Sequence, residues 1–312
     1  MVDGHLELAD RPTPEPALDE VLVEVMGAGV NRADLLQRAG RYPAPPGAPE
    51  DVPGLEFAGR VSAIGPLVQR LRPDTYVFGI LGGGGHATHV LTRESLCARL
   101  PKGLDPVVAG GVPEVFVTAH DAMLGQAGLR PGERVLIHGV GSGVGTAAVQ
   151  LARALGAVTL GTSRTEDKLR RAADLGLDKG VLAGEDMAEQ IGEVDVVIDL
   201  VGGSYVGLDV AVCAPKGRII VVGLLAGSEA QLDIGTIMRK RLTLRGTVLR
   251  TRPLHEKALA TEAFAREVVP LFERGTLRPV VADVMPLEQA TDAYDLVRSN
   301  SIFGKVILRP GG

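Results

Sequence analysis

Glu133-Arg-Val-Leu-Ile-His-Gly-Val-Gly-Ser-Gly-Val-Gly-Thr-Ala-Ala-Val-Gln-Leu-Ala-Arg-Ala-Leu-Gly156 runs from an apolar strand, through glycines, into an Ala/Leu helix closed by Gly156. Val135 to Ala152 contains no Asp, Glu, Lys or Arg and is long enough to suggest a membrane span. Glycines at 139, 141, 143 and 145 interrupt it, and a strand-turn-helix unit accounts for both the apolar content and the punctuation. Such a turn suits a dinucleotide pyrophosphate, because glycines let the backbone pass close to the phosphates. The helix N-terminus adds free N–H groups and the positive end of its dipole. Strict G-x-G-x-x-G spacing fails at Thr146, and the nearer description is G-x-x-x-G-x-G at 139, 143 and 145. Gly139, Gly143, Val144 and Gly145 are therefore the candidate pyrophosphate contacts, with a purely structural tight turn as the alternative.

Outward from this unit, apolar runs alternate with helical stretches between Gly132 and Val248: Val135 to His138, Val158 to Gly161, Val194 to Leu200, Ile219 to Gly223 and Leu242 to Val248. Continuous apolar strands separated by helices predict a parallel sheet covered on both faces. The first hundred residues instead show short strands between Gly and Pro breaks, at Glu20 to Met26, Phe57 to Ile64, Thr75 to Ile80 and His86 to Leu91. After Val248 come a helical stretch from Leu254 to Arg274, a strand near Val280, a helix from Leu287 to Ser299 and a strand from Lys305 to Leu308. This tail forms no further βαβ unit and is expected to return to the N-terminal β-domain. The expected division is 1–112, 113–250 and 251–312, the outer two forming one domain. No linker of low complexity separates them, which predicts firm contact and a ligand cleft.

A chain of 312 residues holds one or two domains at roughly 100–200 residues each. With 45% hydrophobic and 23% charged residues it reads as a soluble globular protein. The net charge of −5 is scattered without a basic face, which argues against nucleic acid as a partner. Cys97 and Cys213 are too few and too far apart for a disulfide framework or a thiolate metal knot, so a reducing, cytoplasmic setting is expected. The opening Met-Val-Asp-Gly-His-Leu-Glu lacks the apolar core of a secretory signal.

Cofactor choice is read at the end of the second strand of the nucleotide unit, where an Asp or Glu would hold the ribose 2′-hydroxyl of NAD. That strand ends Gly161-Thr162-Ser163-Arg164. Ser163, Arg164 and Lys168 offer a hydroxyl and two cations to a 2′-phosphate, which predicts NADPH. The alternative is that Ser163 caps the next helix in a capping box with Glu166 while Lys168 is a solvated helix residue.

Gly29 to Gly47 (Gly-Val-Asn-Arg-Ala-Asp-Leu-Leu-Gln-Arg-Ala-Gly-Arg-Tyr-Pro-Ala-Pro-Pro-Gly), Gly54-Leu-Glu-Phe-Ala-Gly59, the Leu136 to Gln150 segment and Gly304-Lys-Val-Ile-Leu308 resemble the zinc-free quinone oxidoreductases of the medium-chain dehydrogenase/reductase superfamily. The resemblance is nearly end to end. It is strongest toward the tumour-suppressor-inducible branch, with zeta-crystallin more distant. It implies an α/β fold in which a Rossmann doubly wound parallel sheet binding NADPH is inserted in a GroES-like β-domain that holds the substrate. It also implies that Asn31 and Tyr42 face the nicotinamide and a quinone, that Thr118 reaches the nicotinamide side, and that Gly223, Leu224, Leu225, Gly246 and Val248 lie along the cofactor. A tyrosine that relatives often carry near Ala183 is missing.

The superfamily's zinc alcohol dehydrogenases carry a cysteine where Asn31 stands, a histidine where Leu55 stands and a four-cysteine lobe near Ile80. None of these ligands is in the sequence, and His86 and His89, at i and i+3 on a strand, would point to opposite faces. No metal is therefore expected. The expected activity is hydride transfer from NADPH to a quinone or conjugated enone, with the Asn31 amide and Tyr42 hydroxyl as donors to the developing oxyanion. A nucleotide-binding protein with a sensing or structural role is the alternative. Leu242, Leu244 and Val248 on an edge strand at 241–248 predict a homodimer through that edge.

Overall fold

The computed structural model describes residues 5–311, so the reading of the chain's opening residues 1–4 lies outside the described residues. In chain order the elements are β1 (Glu20–Val30), α1 (Arg32–Arg38), β2 (Glu56–Ile64), β3 (Tyr76–Ile80), β4 (His89–Arg93), β5 (Cys97–Arg99), α2 (Pro106–Ala109) and α3 (Pro113–His120). Next come β6 (Arg134–His138), α4 (Gly143–Ala154), β7 (Val158–Ser163), α5 (Glu166–Ala173), β8 (Lys179–Leu182), α6 (Met187–Ile191) and β9 (Val194–Asp199). They are followed by α7 (Tyr205–Val212), β10 (Cys213–Val221), α8 (Ile234–Lys240) and β11 (Thr243–Gly246). The return is α9 (Leu254–Glu267), α10 (Val269–Glu273), β12 (Val281–Pro286), α11 (Ala290–Arg298) and β13 (Lys305–Arg309). Among the described residues two compact units result, one from 5–117 with 249–311 and one from 118–248.

The second unit is a six-stranded, all-parallel sheet in the order β11-β10-β9-β6-β7-β8. Numbered from β6, this is the 3-2-1-4-5-6 doubly wound order, whose direction reverses between β6 and β9. The expected Rossmann architecture is borne out. Leu136, Leu160, Val181, Val197 and Ile219, at or near zero exposure, form its core. Three details differ from the sequence reading. Lys-Gly-Val-Leu at β8 buries only Val181 and showed no apolar run. The fourth run starts earlier, at Cys213, with an irregular register before Arg218. The edge strand covers only Thr243–Gly246, because Arg241 closes α8 in a left-handed conformation and the Leu242 amide still bonds Ile237 O.

The first unit carries a seven-stranded sheet in the order β12-β13-β1-β2-β3-β5, with β4 also paired to β1. β13 lies between β12 and β1, antiparallel to β1 with Val30 opposite Val306. Val21, Val23, Phe57, Val61, Val77 and Val90 form its core, with strict alternation of buried and partly exposed residues only along β4. Two further boundaries differ. The strand expected from His86 begins at His89, since the His86 amide is tied to Pro53 O beyond the Gly82–Gly85 loop. The helix expected through Arg274 is divided at Val268, with Pro270 in the first turn of α10. No helix of the described residues is long and apolar enough to cross a membrane.

Candidate active site

In the second unit, Gly139 follows β6 at φ +69°, a conformation that disfavours any residue with a Cβ. Ser142 caps α4: its Oγ accepts the Gly145 amide at 3.0 Å and donates to Gly139 O at 2.8 Å. Gly143 and Val144 are the first two helical residues, whose N–H groups have no acceptor within the helix; helix starts of this kind suit an anion. A Cβ on Gly145 would stand 2.3 Å from Gly139 O and 2.8 Å from Val140 Cα, so only glycine lets the helix start this close to the strand. A Cβ on Gly141 would meet Lys168 Cδ at 2.6 Å. The Lys168 stem therefore lies across the glycine loop, which the motif spacing did not reveal.

Ser163 ends β7 as a buried residue paired with Leu182, and its Oγ accepts the Thr165 amide at 3.3 Å. The capping box with Glu166 is not formed. Thr165 is the N-cap residue of α5, because strand pairing holds Ser163 extended. Arg164 is exposed and Lys168 half-buried. Burial and then the positive charges of Arg164 and Arg171 push the Lys168 ammonium below its ordinary range. An anion between Arg164 and Lys168 would relieve that repulsion.

Beneath the loop, His138 is fully buried and bonded at 2.8 Å through Nδ1 to Thr162 Oγ1 and through Nε2 to Asp209 Oδ1, with Tyr205 edge-on at 4.8 Å. Burial pushes the Asp209 carboxyl up to about 6. Asp199 Oδ1 accepts the amides of Val201 and Gly202, and its carbonyl accepts those of Val222 and Gly223. One buried acid thus holds the loops after β9 and β10. Beyond Gly223, Leu224 and Leu225 are 60% and 53% exposed, Gly246 ends β11 and Val248 follows it half exposed. All these candidates lie at carboxyl ends of parallel strands, where doubly wound sheets bind their ligands.

In the first unit, Asn31 caps α1 at the end of β1. Lys305 Nζ, buried on β13, donates to Glu56 Oε1 at 2.7 Å, Asn31 Oδ1 at 2.6 Å and Val30 O at 2.9 Å. Asn31 Nδ2 donates to Glu56 Oε1 at 2.9 Å and Gly29 O at 3.1 Å. Both amide hydrogens are thus engaged, which corrects the expectation that Asn31 offers a donor to the substrate oxygen. The ammonium holds the Asn31 oxygen and so turns its NH₂ group inward. Tyr42 is half-buried over the Arg250 guanidinium at 4.9 Å, and burial and then Glu114 push its phenol up. Thr118 is half-buried on α3, one turn beyond Glu114.

His86 Nδ1 shares a hydrogen bond with Tyr294 Oη at 3.0 Å, whereas His89 Nδ1 lies 3.2 Å from Thr88 Oγ1. Leu55 is 1% exposed. Among the described residues no group of three His, Cys, Asp or Glu side chains is placed to hold a metal ion. Both cysteines are free and buried, their thiols pushed to about 12 by burial. Glu114, Arg250 and Lys305 were not singled out by sequence. Only the Gly304-Lys305 pair carried a signal, and then without a role.

A GroES-like β-unit interrupted by a doubly wound sheet with a glycine loop defines a medium-chain oxidoreductase using a nicotinamide cofactor. The family model described as "Alcohol dehydrogenase GroES-like domain" matches residues 17–124, and that described as "Zinc-binding dehydrogenase" matches 143–266. The quinone oxidoreductase of Lama guanicoe is 31% identical, over 96% of this chain and 92% of its own. The quinone oxidoreductase of Thermus thermophilus, solved with NADPH, superposes with a TM-score of 0.83 at 32% identity, covering 98% of this chain and 96% of that one. A structure described as an NAD-dependent alcohol dehydrogenase gives 0.86 at 31%, covering 97% and 95%. The chain belongs to the quinone oxidoreductase family of the medium-chain dehydrogenase/reductase superfamily.

Proposed function

We propose that this chain is an NADPH-dependent reductase of quinones or conjugated enones that works without a metal. The carrying observation is the Lys305 ammonium held between Asn31 and Glu56. A fixed cation occupies the neighbourhood where the zinc enzymes of the superfamily would place a ligand at residue 31, and the buried Leu55 offers no second ligand. An alcohol must lose its hydroxyl proton as hydride leaves, a step that Lewis acidity eases. A quinone or enone accepts hydride into an electron-poor system and needs orientation and a donor, for which the Tyr42 hydroxyl is available.

The cofactor fits the second unit: Gly139, Gly143, Val144 and Gly145 would take the pyrophosphate, and Ser163, Arg164 and Lys168 the 2′-phosphate. Gly223, Leu224, Leu225, Gly246 and Val248 would line the nicotinamide half, with Thr118 on the nicotinamide side. When bound, the cofactor supplies the hydride. The test is NADPH consumption with quinones, enones and simple alcohols after exhaustive chelation. Turnover of quinones or enones that survives chelation is expected. Chelator-sensitive alcohol oxidation would overturn the metal-free reading, and silence on every acceptor would favour a sensing or structural role.

We also propose a homodimer through the edge strand β11, where Leu244 is 41% exposed. Light scattering at micromolar concentration should give twice the 32.6 kDa chain mass, and a monomer would refute it.

A further inference from the structure

Beneath the glycine loop of the second unit, two aspartates with no exposed surface each carry one unsatisfied oxygen. Asp199 ends β9, where its Oδ1 accepts the amides of Val201 and Gly202 at 2.7 and 2.9 Å. Asp209, on α7, accepts the His138 Nε2–H on Oδ1 at 2.8 Å. The other oxygen of each, Asp199 Oδ2 and Asp209 Oδ2, is buried and has no partner among the described residues. The two side chains are within hydrogen-bonding reach of one another. Bare acceptors in a dry interior are costly, and so are two buried negative charges. A proton on the imidazole would offset part of the charge but leave both oxygens unpaired. A proton between the carboxyls satisfies both oxygens and removes one charge. It leaves His138 neutral, with Nδ1 free to take the Thr162 hydroxyl proton at 2.8 Å.

We propose that Asp199 and Asp209 share one buried proton, and that this pair positions the loops that meet the cofactor; the second part rests on the cofactor site proposed above. From Asp199 the bonds run to the loops after β9 and β10, since its carbonyl also takes the Val222 and Gly223 amides at 2.7 and 3.2 Å. From Asp209 they run through His138 to Thr162, whose carbonyl accepts the Gly139 and Val140 amides of the glycine loop, each at 3.1 Å. Loss of the proton sets two carboxylates against each other at the joint of this chain and drives α7 and β9 apart.

The groups around the pair, His138 excepted, do not change charge near neutrality. Tyr205, edge-on to His138 at the start of α7, has its phenol raised by burial, and burial pushes the Cys213 thiol at the head of β10 to about 12. Arg164, which acts on Tyr205 from the end of β7, keeps its charge. Burial, opposed by His138 and reinforced by Asp199, raises Asp209 to about 6. A proton held more tightly in the folded than in the unfolded chain stabilises the fold at low pH, and that stabilisation is lost as pH rises through about 6.

The experiment follows denaturant unfolding from pH 4 to 8 in the parent, Asp209→Asn and Asp199→Asn, each variant placing an amide N–H where the shared proton lay. A carboxyl held roughly two pH units above its ordinary range corresponds to about a hundredfold in equilibrium. The parent's unfolding equilibrium constant should therefore rise about a hundredfold more across this range than that of either variant. Groups elsewhere titrate alike in all three and cancel. NADPH titration at pH 6 and 8 is the second readout, and the parent's affinity should fall by about threefold or more relative to either variant's. The same pH course of unfolding in parent and variants would overturn the shared proton. So would a course altered by His138→Gln and by neither Asn variant, which places the proton on the imidazole. Equal pH courses of NADPH affinity would overturn the coupling to the loops. A parent that binds no NADPH would overturn that coupling together with the proposed function, while the unfolding series decides the proton by itself.

Discussion

Lys305→Met should lower the free energy of unfolding by about 3–5 kcal/mol, the largest single-residue effect expected outside the hydrophobic core. Glu56 has no exposed surface and draws its buried counter-charge from Lys305 at 2.7 Å. The methionine fills similar volume but leaves the carboxylate without that partner, and it removes the ammonium's hold on Asn31. The loss is one of compensation for a charge already taken out of water, so it exceeds what an exposed ion pair such as Arg60–Asp74 would cost. Adding Glu56→Gln to Lys305→Met should restore part of the stability, because no uncompensated charge is then buried. Denaturant unfolding of the parent and both variants is the measurement. A loss below about 1 kcal/mol for Lys305→Met would mean that Glu56 is not held as a carboxylate by this lysine.

Arg164→Ala with Lys168→Ala should weaken NADPH by roughly thirty- to hundred-fold while leaving NADH within about threefold. A hydrogen bond to a charged group contributes about 1.5–3 kcal/mol. The exposure of Arg164 places its share at the low end, and Lys168, half-buried with its stem across Gly141, contributes more per contact. Solvent screening of these exposed and half-exposed cations discounts the two losses to about 2–3 kcal/mol together. The contrast between cofactors carries the argument, because NADH lacks the phosphate these cations would meet. Calorimetric titration with both cofactors decides it. Equal NADPH affinity in parent and variant would remove Ser163, Arg164 and Lys168 from the proposed site.

The nucleotide unit was legible because its signals are local. A strand, a glycine turn and a helix occupy one stretch of chain, and the β-branched runs at Val135, Val158 and Val194 mark buried parallel strands without any tertiary information. β8 escaped because only Val181 of its four residues is buried, so no run exists to be seen. Ser163 was read as a cap because Glu166 stands three positions on, but pairing with β8 overrides that local preference. The substrate unit was much less legible. Asn31 looked like a free donor, since nothing near it in the chain announces that Lys305, 274 positions away, will take its oxygen and Glu56 its amide. Glu114 resembles any acidic residue in a first helical turn. Burial, and then Glu56 and Asp34, raise its carboxyl, and neither of those residues is adjacent to it in the chain.

The position of β13 inside the sheet also governs the order in which the molecule can assemble. β1 pairs with β2 and β4 early in the chain, but its Ala28–Val30 segment finds its partner only in β13, with all of the second unit in between. Nearest-neighbour βα units close quickly, whereas a strand pair separated by such a length of chain must overcome the entropy of closing the whole loop. The nucleotide unit can therefore be complete while the substrate unit still waits for β13. During that interval the edge left open is the Ala28-Gly-Val30 end of β1, since Glu20–Glu24 are already paired with β4 on that strand. An open edge, even a short one, can pair with other chains. The same strand insertion that positions Lys305 thus leaves the Ala28–Val30 end of β1 without its partner until the last strand of the chain is made.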